Sequence, residues 1–130
     1  MTHDEFNTFC ETLPHTTHVV QWGNSDVWKV GGKVFAVGGW QEDGHETLAV
    51  TFKTSEIAFE ILRDAPGCRP APYLASRGMK WIQRTDDETV SDEDLKSYLK
   101  SSHKMVSLKL TKKLQKELGL NQDVTQTETI

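Results

Sequence analysis

The chain of 130 residues has few of the features that cross-linked, secreted or membrane-spanning proteins depend on. Its two cysteines are Cys10, on the apolar face of a predicted helix, and Cys68, in a loop with proline and glycine, so we expect reduced thiols. No apolar run approaches the roughly 18 residues that are needed to cross a bilayer. The first ten residues are acidic and show no signal-peptide pattern. We therefore expect a cytoplasmic protein with no membrane segment.

Residue patterns that support catalysis or cofactor binding are also missing. The five histidines show neither the HExxH motif nor the Cys/His spacing of zinc sites. Neither cysteine stands in a nucleophile pattern with histidine and aspartate, and no glycine-rich phosphate loop is followed by Lys-Ser or Lys-Thr. We therefore predict that the protein is not an enzyme and that it holds no metal and no cofactor.

Charge is distributed unevenly along the chain. The net charge of −4 disfavours attraction to nucleic acid or anionic lipid over the whole surface. Residues 1–64 hold ten acidic and four basic residues, whereas residues 96–116 hold seven lysines and no acid. The lysine-rich stretch has two interpretations, which are a solvated helix face and a strip that binds phosphates or a partner.

A β-hairpin over residues 27–39 is the clearest local structure in the sequence. β-Branched and aromatic residues flank Gly31-Gly32, and a two-glycine connection supplies the positive φ angles of a tight hairpin turn. With these glycines as the loop, Trp28 is expected opposite Phe35. The residues that this register places on one face, as the floor of the core, are Trp28, Val30, Phe35 and Val37.

The remaining segments predict an α+β domain. Apolar spacing predicts helices over residues 3–13, 55–63 and 92–114, and alternation predicts further strands over 18–22, 45–53 and 79–84. The residues of the second helix that are expected to face the sheet are Ile57, Ala58, Ile61 and Leu62. Successive strands without a helical crossover favour antiparallel pairing. We predict a two-layer α+β fold, an antiparallel five-stranded sheet with helices packed on one face.

One domain accounts for a chain of this length. We place it over residues 1–116. The following residues, 117–130, end in a polar stretch without apolar periodicity and are predicted to form a disordered tail.

Seven residues are candidates for contact with a ligand. They are Lys33 beside the hairpin turn, Trp40 before an acidic loop, Lys53 at the end of the fourth strand, Arg77 and Lys80 around Gly78, and Lys100 and Lys104 in the lysine-rich helix. Lysine suits phosphate contact because it is a mobile cation, and an exposed tryptophan can stack on a base. The structural alternatives are a solubilising lysine at a hairpin end and tryptophans that belong to the core.

In order and spacing, several short segments resemble the MmcQ/YjbR-like family of small bacterial proteins. The segments are Leu13-Pro14, Trp22-Gly23, the hairpin WKVGGKVFAV, Thr51-Phe52-Lys53, Ala71-Pro72-Tyr73-Leu74, Lys80-Trp81-Ile82, and Ser101-Ser102 to Lys112. The resemblance implies a fold similar to frataxin-like and secretion-chaperone-like architectures, and members are described as DNA-binding proteins with a double-wing arrangement. One departure is His15, where the family usually has glycine after Leu-Pro.

Two functions follow from these observations. The first is a nucleic-acid-binding module whose hairpin loops and lysine-rich helix contact phosphates, and the resemblance implies that the nucleic acid is DNA. The second is a protein-interaction or chaperone-like adaptor module that docks a partner segment on the less covered sheet face or beside the last helix. In both cases we expect a monomer.

Overall fold

The computed structural model describes residues 1–39, 47–72, 74 and 77–122. Its helices are α1 (His3–Glu11), α2 (Glu56–Leu62), α3 (Asp92–Ser107) and α4 (Lys112–Leu118). Its strands are β1 (Thr16–Gln21), β2 (Ser25–Val30), β3 (Lys33–Gly38), β4 (Val50–Lys53), β5 (Cys68–Pro70) and β6 (Trp81–Arg84). Among the described helices, none has the length and apolar character of a membrane span.

The strands form one antiparallel sheet in the spatial order β1-β2-β3-β4-β6-β5. The predicted number of five strands is wrong by one, because the proline-containing loop supplies β5, which pairs with β6 at the sheet edge. Pro70 can end this strand because an edge position does not need every backbone N–H in the ladder.

The helices cover one face of the sheet and share a single core with it. The helical members of this core include Phe6 and Cys10 of α1, Phe59 and Leu62 of α2, and Leu95 and Leu99 of α3. From the sheet, Ala36, Phe52 and Ile82 stand side by side on neighbouring strands and join the same cluster. The predicted two-layer α+β architecture is therefore confirmed.

The central hairpin has the predicted turn but a different register. Gly31-Gly32 forms the turn with φ angles of 56° and 84°. A β-bulge then leaves Phe35 without a partner in β2, so Trp28 pairs with Ala36 rather than with Phe35. The bulge keeps Trp28 and Phe35 in the core, whereas Val37 belongs to the other sheet face and not to the predicted floor.

The second helix turns a different stripe toward the sheet from the one predicted. Phe59 and Leu62 are buried, whereas Ile57 and Ile61 are 75% and 65% exposed. An aromatic side chain removes more apolar surface from water than an isoleucine does, so burial of Phe59 sets the rotation of this short helix.

The lysine-rich stretch forms two helices rather than the single predicted one. The first, α3, ends at Ser107, and the hydroxyl of Thr111 caps α4 by accepting a hydrogen bond from the Leu114 N–H. Between them Leu110 is buried, and a Cβ on Gly31 would overlap its side chain. The helix breaks because this leucine packs against the hairpin turn.

The packed domain continues past the predicted boundary at residue 116. Gly119 ends α4 in a left-handed conformation with φ 71°, and Leu120 is buried. Asn121 then donates hydrogen bonds to Ser107 and Gln115. Residues 123–130 of the predicted tail lie outside the described residues.

The bend after α1 is retained although a histidine occupies it. His15 adopts φ 55°, the left-handed conformation that glycine enters most easily. Next to it, the Pro14 carbonyl accepts a hydrogen bond of 2.8 Å from Nε2 of His103. Burial lowers the pKa of His103 although this hydrogen bond acts in the opposite direction, so the fold favours the neutral ring.

An ion pair ties the start of α3 to the sheet. Arg84 is fully buried, and its guanidinium donates to the Val90 carbonyl at 3.0 Å and to the Asp92 carboxylate at 2.9 Å. The Met1 ammonium also contacts this carboxylate, at 3.1 Å. Partial burial on its own raises the pKa of Asp92, but the hydrogen bonds from Arg84 and Met1 and their charges outweigh it and lower the pKa.

We expect Asp92→Asn to lower the free energy of unfolding at neutral pH by about 1–2 kcal/mol, because a neutral amide cannot balance the buried guanidinium. The cost stays below that of a fully buried pair because the Asp92 side chain is 47% exposed. Since the folded pKa lies below the usual 3.8, the stabilisation is complete above that pH and is lost as pH falls through the folded value. Urea unfolding at neutral and acidic pH measures both effects.

The matched control is Asp94→Asn, which removes an exposed carboxylate from the same helix. If both variants unfold alike at both pH values, the ion pair does not contribute as described.

Candidate functional site

A cavity of about 460 Å³ lies between the end of β4, the start of α2 and the middle of α3. We call it the lysine cavity. Its lining residues are Lys53, Thr54, Ser55, Ala58, Tyr98, Lys100, Ser101, Lys104 and Met105. Lys100 and Lys104 are four residues apart on α3, so they project from one helix face, and Lys53 reaches the cavity from the sheet. Ammonium and hydroxyl groups therefore surround a space without a carboxylate among its described lining residues.

A second cavity, of about 390 Å³, borders the same lysine of β4. We call it the tryptophan cavity. Its lining residues are Trp22, Lys33, Val34, Val37, Lys53, Leu74, Met79, Trp81, Val106 and Lys109. Val37, Lys53 and Trp81 lie on the sheet face opposite to the helix-covered one, because they alternate with core residues along their strands. The described lining is mostly apolar, with three lysines and no acid.

Lys53 lines both cavities, so the two meet at this residue, and we call the five lysines that line them the lysine surface. These lysines are Lys33, Lys53, Lys100, Lys104 and Lys109. Within the described part of the chain, no carboxylate lies within 4.0 Å of any of their ammonium groups. Their charges are therefore available to an anion, in a protein whose net charge is −4.

The hydroxyl of Ser102 sets the position of Lys53 relative to α3. Ser102 Oγ donates to the Phe35 carbonyl at 2.6 Å and accepts from the Lys53 backbone N–H at 3.0 Å. The register of β3 and β4 places Phe35 opposite Lys53, so the hydroxyl bridges the two strands at the bulge. This bridge holds the end of β4 beside the helix that carries Lys100 and Lys104.

Acidic residues gather on another part of the surface. A third cavity, of about 520 Å³, is lined by Met1, Asp4, Glu5, Thr8, Phe9, Thr12, Asp92, Glu93 and Lys96. Its one lysine is 3.8 Å from Glu93, so Lys96 has a counter-ion. The seven lysines of residues 96–116 are thus not equivalent, because some belong to the lysine surface and Lys96 belongs to the acidic side.

The structure brings together four of the seven predicted contact residues, Lys33, Lys53, Lys100 and Lys104. Lys33 does not stand on a protruding hairpin end, because Gly31 packs against Leu110. Lys80 lies apart, with its ammonium 4.9 Å from the centre of the Phe59 ring.

The other two predicted contact residues differ in what is described of them. Arg77 is exposed and lines neither cavity, so its pairing with Lys80 at a ligand stays a prediction. Trp40 lies outside the described residues.

Sequence reasoning missed Lys109 and the tryptophan cavity. The expectation that the tryptophans belong to the core is wrong for Trp22, which is 47% exposed. A signal existed in Trp22-Gly23-Asn24, since a turn at this position exposes the tryptophan, and all three residues have positive φ. Trp81 is buried as expected, but its indole Nε1 has no hydrogen-bond partner among the described residues.

The described residues offer few groups for metal or covalent chemistry. They contain no cluster of three or more His, Cys, Asp or Glu side chains that could hold a metal ion. Burial raises the pKa of Cys10 well above the physiological range, and burial also raises the pKa of Cys68. Both thiols are therefore poor nucleophiles in this fold.

Comparison with known proteins identifies close structural likeness. A protein-family model described as YjbR matches residues 11–105. The crystal structure of the Deinococcus radiodurans protein DR2400, described with the family domain DUF419, is similar at 30% sequence identity with a TM-score of 0.76. This match covers 92% of the present chain and 88% of the other. No curated protein matches at a significant level.

We expect Ser102→Ala to lower the free energy of unfolding by about 2–4 kcal/mol, because it leaves the Phe35 carbonyl and the Lys53 N–H without a partner. Ser97→Ala, at an exposed position of the same helix, is the matched control. Urea denaturation followed by circular dichroism measures both variants. Equal stability of the two variants would show that the bridge is not needed.

Proposed function

This chain belongs to the YjbR family, and on that premise we propose that it binds nucleic acid through the phosphate backbone, using the lysine surface. The observation that carries the proposal is the grouping of five lysines, in an acidic protein, that have no counter-ion among the described residues. Phosphate contacts supply most of the sequence-independent affinity for nucleic acid, and lysine ammonium groups make them without demanding a fixed geometry.

The proposed binding surface is built from several strands and from α3, and not from the end of the hairpin alone. Lys53 comes from β4, Lys100 and Lys104 come from α3, and Lys33 and Lys109 come from the two segments that meet at Gly31. A strand that follows these lysines would run along the side of the domain. The acidic cavity around Asp92 and Glu93 would repel phosphates, which favours one binding side.

The role that we propose is non-catalytic, and DNA is the nucleic acid that the family resemblance favours. The raised pKa values of both cysteines, and the lack of a carboxylate among the described lining residues of the two cavities, support binding rather than bond cleavage. A monomer in the cytoplasm remains the expected working form.

We expect fluorescence anisotropy with labelled DNA to show affinity that falls about 10²–10³-fold between about 50 and 200 mM salt, as five phosphate contacts require. The double variant Lys100→Gln/Lys104→Gln should bind more weakly at low salt. It should also lower the slope of log affinity against log salt by about two contacts.

The matched control is Lys112→Gln/Lys113→Gln, which removes the same charge from exposed positions of α4 that line neither cavity. Equal loss in both double variants would show diffuse attraction rather than a site. Absence of binding at low salt would reject the proposed function.

A protein-interaction role is the second candidate, and a different observation favours it. Ile57 and Ile61 are exposed on successive turns of α2, which gives this helix an apolar stripe in contact with water. We expect a protein partner retained after nuclease treatment to be lost from Ile57→Ser/Ile61→Ser and kept by Lys100→Gln/Lys104→Gln. The reverse pattern would reject an adaptor role for this stripe.

A further inference from the structure

We infer that the tryptophan cavity accepts one unpaired nucleobase, so that the nucleic acid bound by the lysine surface is single-stranded or locally opened. The inference deepens the proposed function and rests on it.

The size and lining of the cavity suit a flat aromatic group. About 390 Å³ lies within the range of small-molecule sites, and the described walls are largely apolar. Trp22 and Met79 are 47% and 40% exposed, so a group that enters covers an aromatic and a thioether side chain that are otherwise in water. A base stacks on such a surface whatever its sequence identity, because every base has a π-face.

The wall contributed by Trp81 holds an unused donor. The Trp81 side chain is only 5% exposed, and its indole Nε1 has no hydrogen-bond partner among the described residues. An unpaired buried N–H is unfavourable because it has lost its bond to water. This N–H is not open to solvent, so an acceptor at the edge of a nucleobase pairs with it only after the wall around Trp81 has shifted.

The lysines at the cavity extend this match from a base to a strand. Lys33, Lys53 and Lys109 line the same space, and Lys53 also borders the lysine cavity, where Lys100 and Lys104 stand. A base in the tryptophan cavity thus has cations on more than one side for the phosphates that flank it. In a duplex the base is stacked and paired, so its face reaches the wall of this cavity only after the base has left the helix.

The experiment compares three labelled probes of equal length by anisotropy at one low salt concentration. They are a thymine strand, a strand with the same backbone and abasic sites in place of the bases, and a duplex. We expect the thymine strand to bind at least about tenfold more tightly than the abasic strand and the duplex. Equal affinity for all three would overturn the base pocket and leave phosphate binding intact. Absence of binding by all three would reject the proposed function itself.

Variants separate the base pocket from the phosphate contacts. We expect Trp22→Ala to remove most of the preference for the thymine strand over the abasic one, and Trp22→Phe to restore part of it. We expect Trp81→Phe, which keeps a ring but shortens this wall of the cavity, to weaken thymine binding, and urea unfolding measures the stability that is lost with the smaller side chain. Lys100→Gln/Lys104→Gln should weaken both strands alike.

Leu108→Ala is the matched control, because Leu108 is 52% exposed and lines neither cavity. If the tryptophan variants keep the full preference for the thymine strand, the base lies elsewhere and the inference fails. A further outcome is that an acidic, apolar peptide binds in the tryptophan cavity and the thymine strand does not displace it. The cavity would then be a peptide site, and the inference would be wrong.

Discussion

One hydroxyl group organises this domain, that of Ser102 on the buried face of α3. It donates a hydrogen bond to the carbonyl of Phe35, which the bulge leaves without a partner residue in β2. It also accepts one from the N–H of Lys53 at the end of the neighbouring strand. A buried carbonyl and a buried N–H both need partners, so the position of α3 over the sheet is fixed at this point to within hydrogen-bond distance. The lysines of α3 and the lysine of β4 face one another because of it.

Charge separation is the second constraint. Acidic residues of α1 and of the first turn of α3 share one side with the Arg84–Asp92 pair, where a buried cation and the helix N-terminus both favour carboxylates. The lysines of the lysine surface lie on later turns of α3, after its end, and on β3 and β4. An acidic protein can therefore present a cationic surface, because net charge describes the whole molecule and binding responds to the local field.

Much of the fold follows from local sequence, and the departures have identifiable causes. Gly31-Gly32 predicts its turn because the required φ angles are a local property, and Lys100 and Lys104 share a face because helix spacing demands it. The bulge at Phe35 depends on Ser102, which is 67 residues away, and the break at Leu110 depends on a contact with the hairpin turn. No local sequence pattern predicts the bulge or the helix break. Lys109 reaches the site because its neighbour Leu110 packs against the hairpin turn, whereas the exposure of Trp22 follows from the local turn at Trp22-Gly23-Asn24.

The contact between Gly31 and Leu110 has a consequence for how the site works. Lys33 and Lys109 follow and precede the residues of this contact in the chain. The packing of Leu110 against Gly31 therefore holds the cavity entrance that these lysines line, and the hairpin is not free to move away from it. The entrance of the cavity is therefore preorganised, and little conformational entropy is lost when a ligand binds there. Selectivity between ligands then depends on which of them fits the entrance. The nucleic-acid strand is the flexible partner, so it changes conformation on binding.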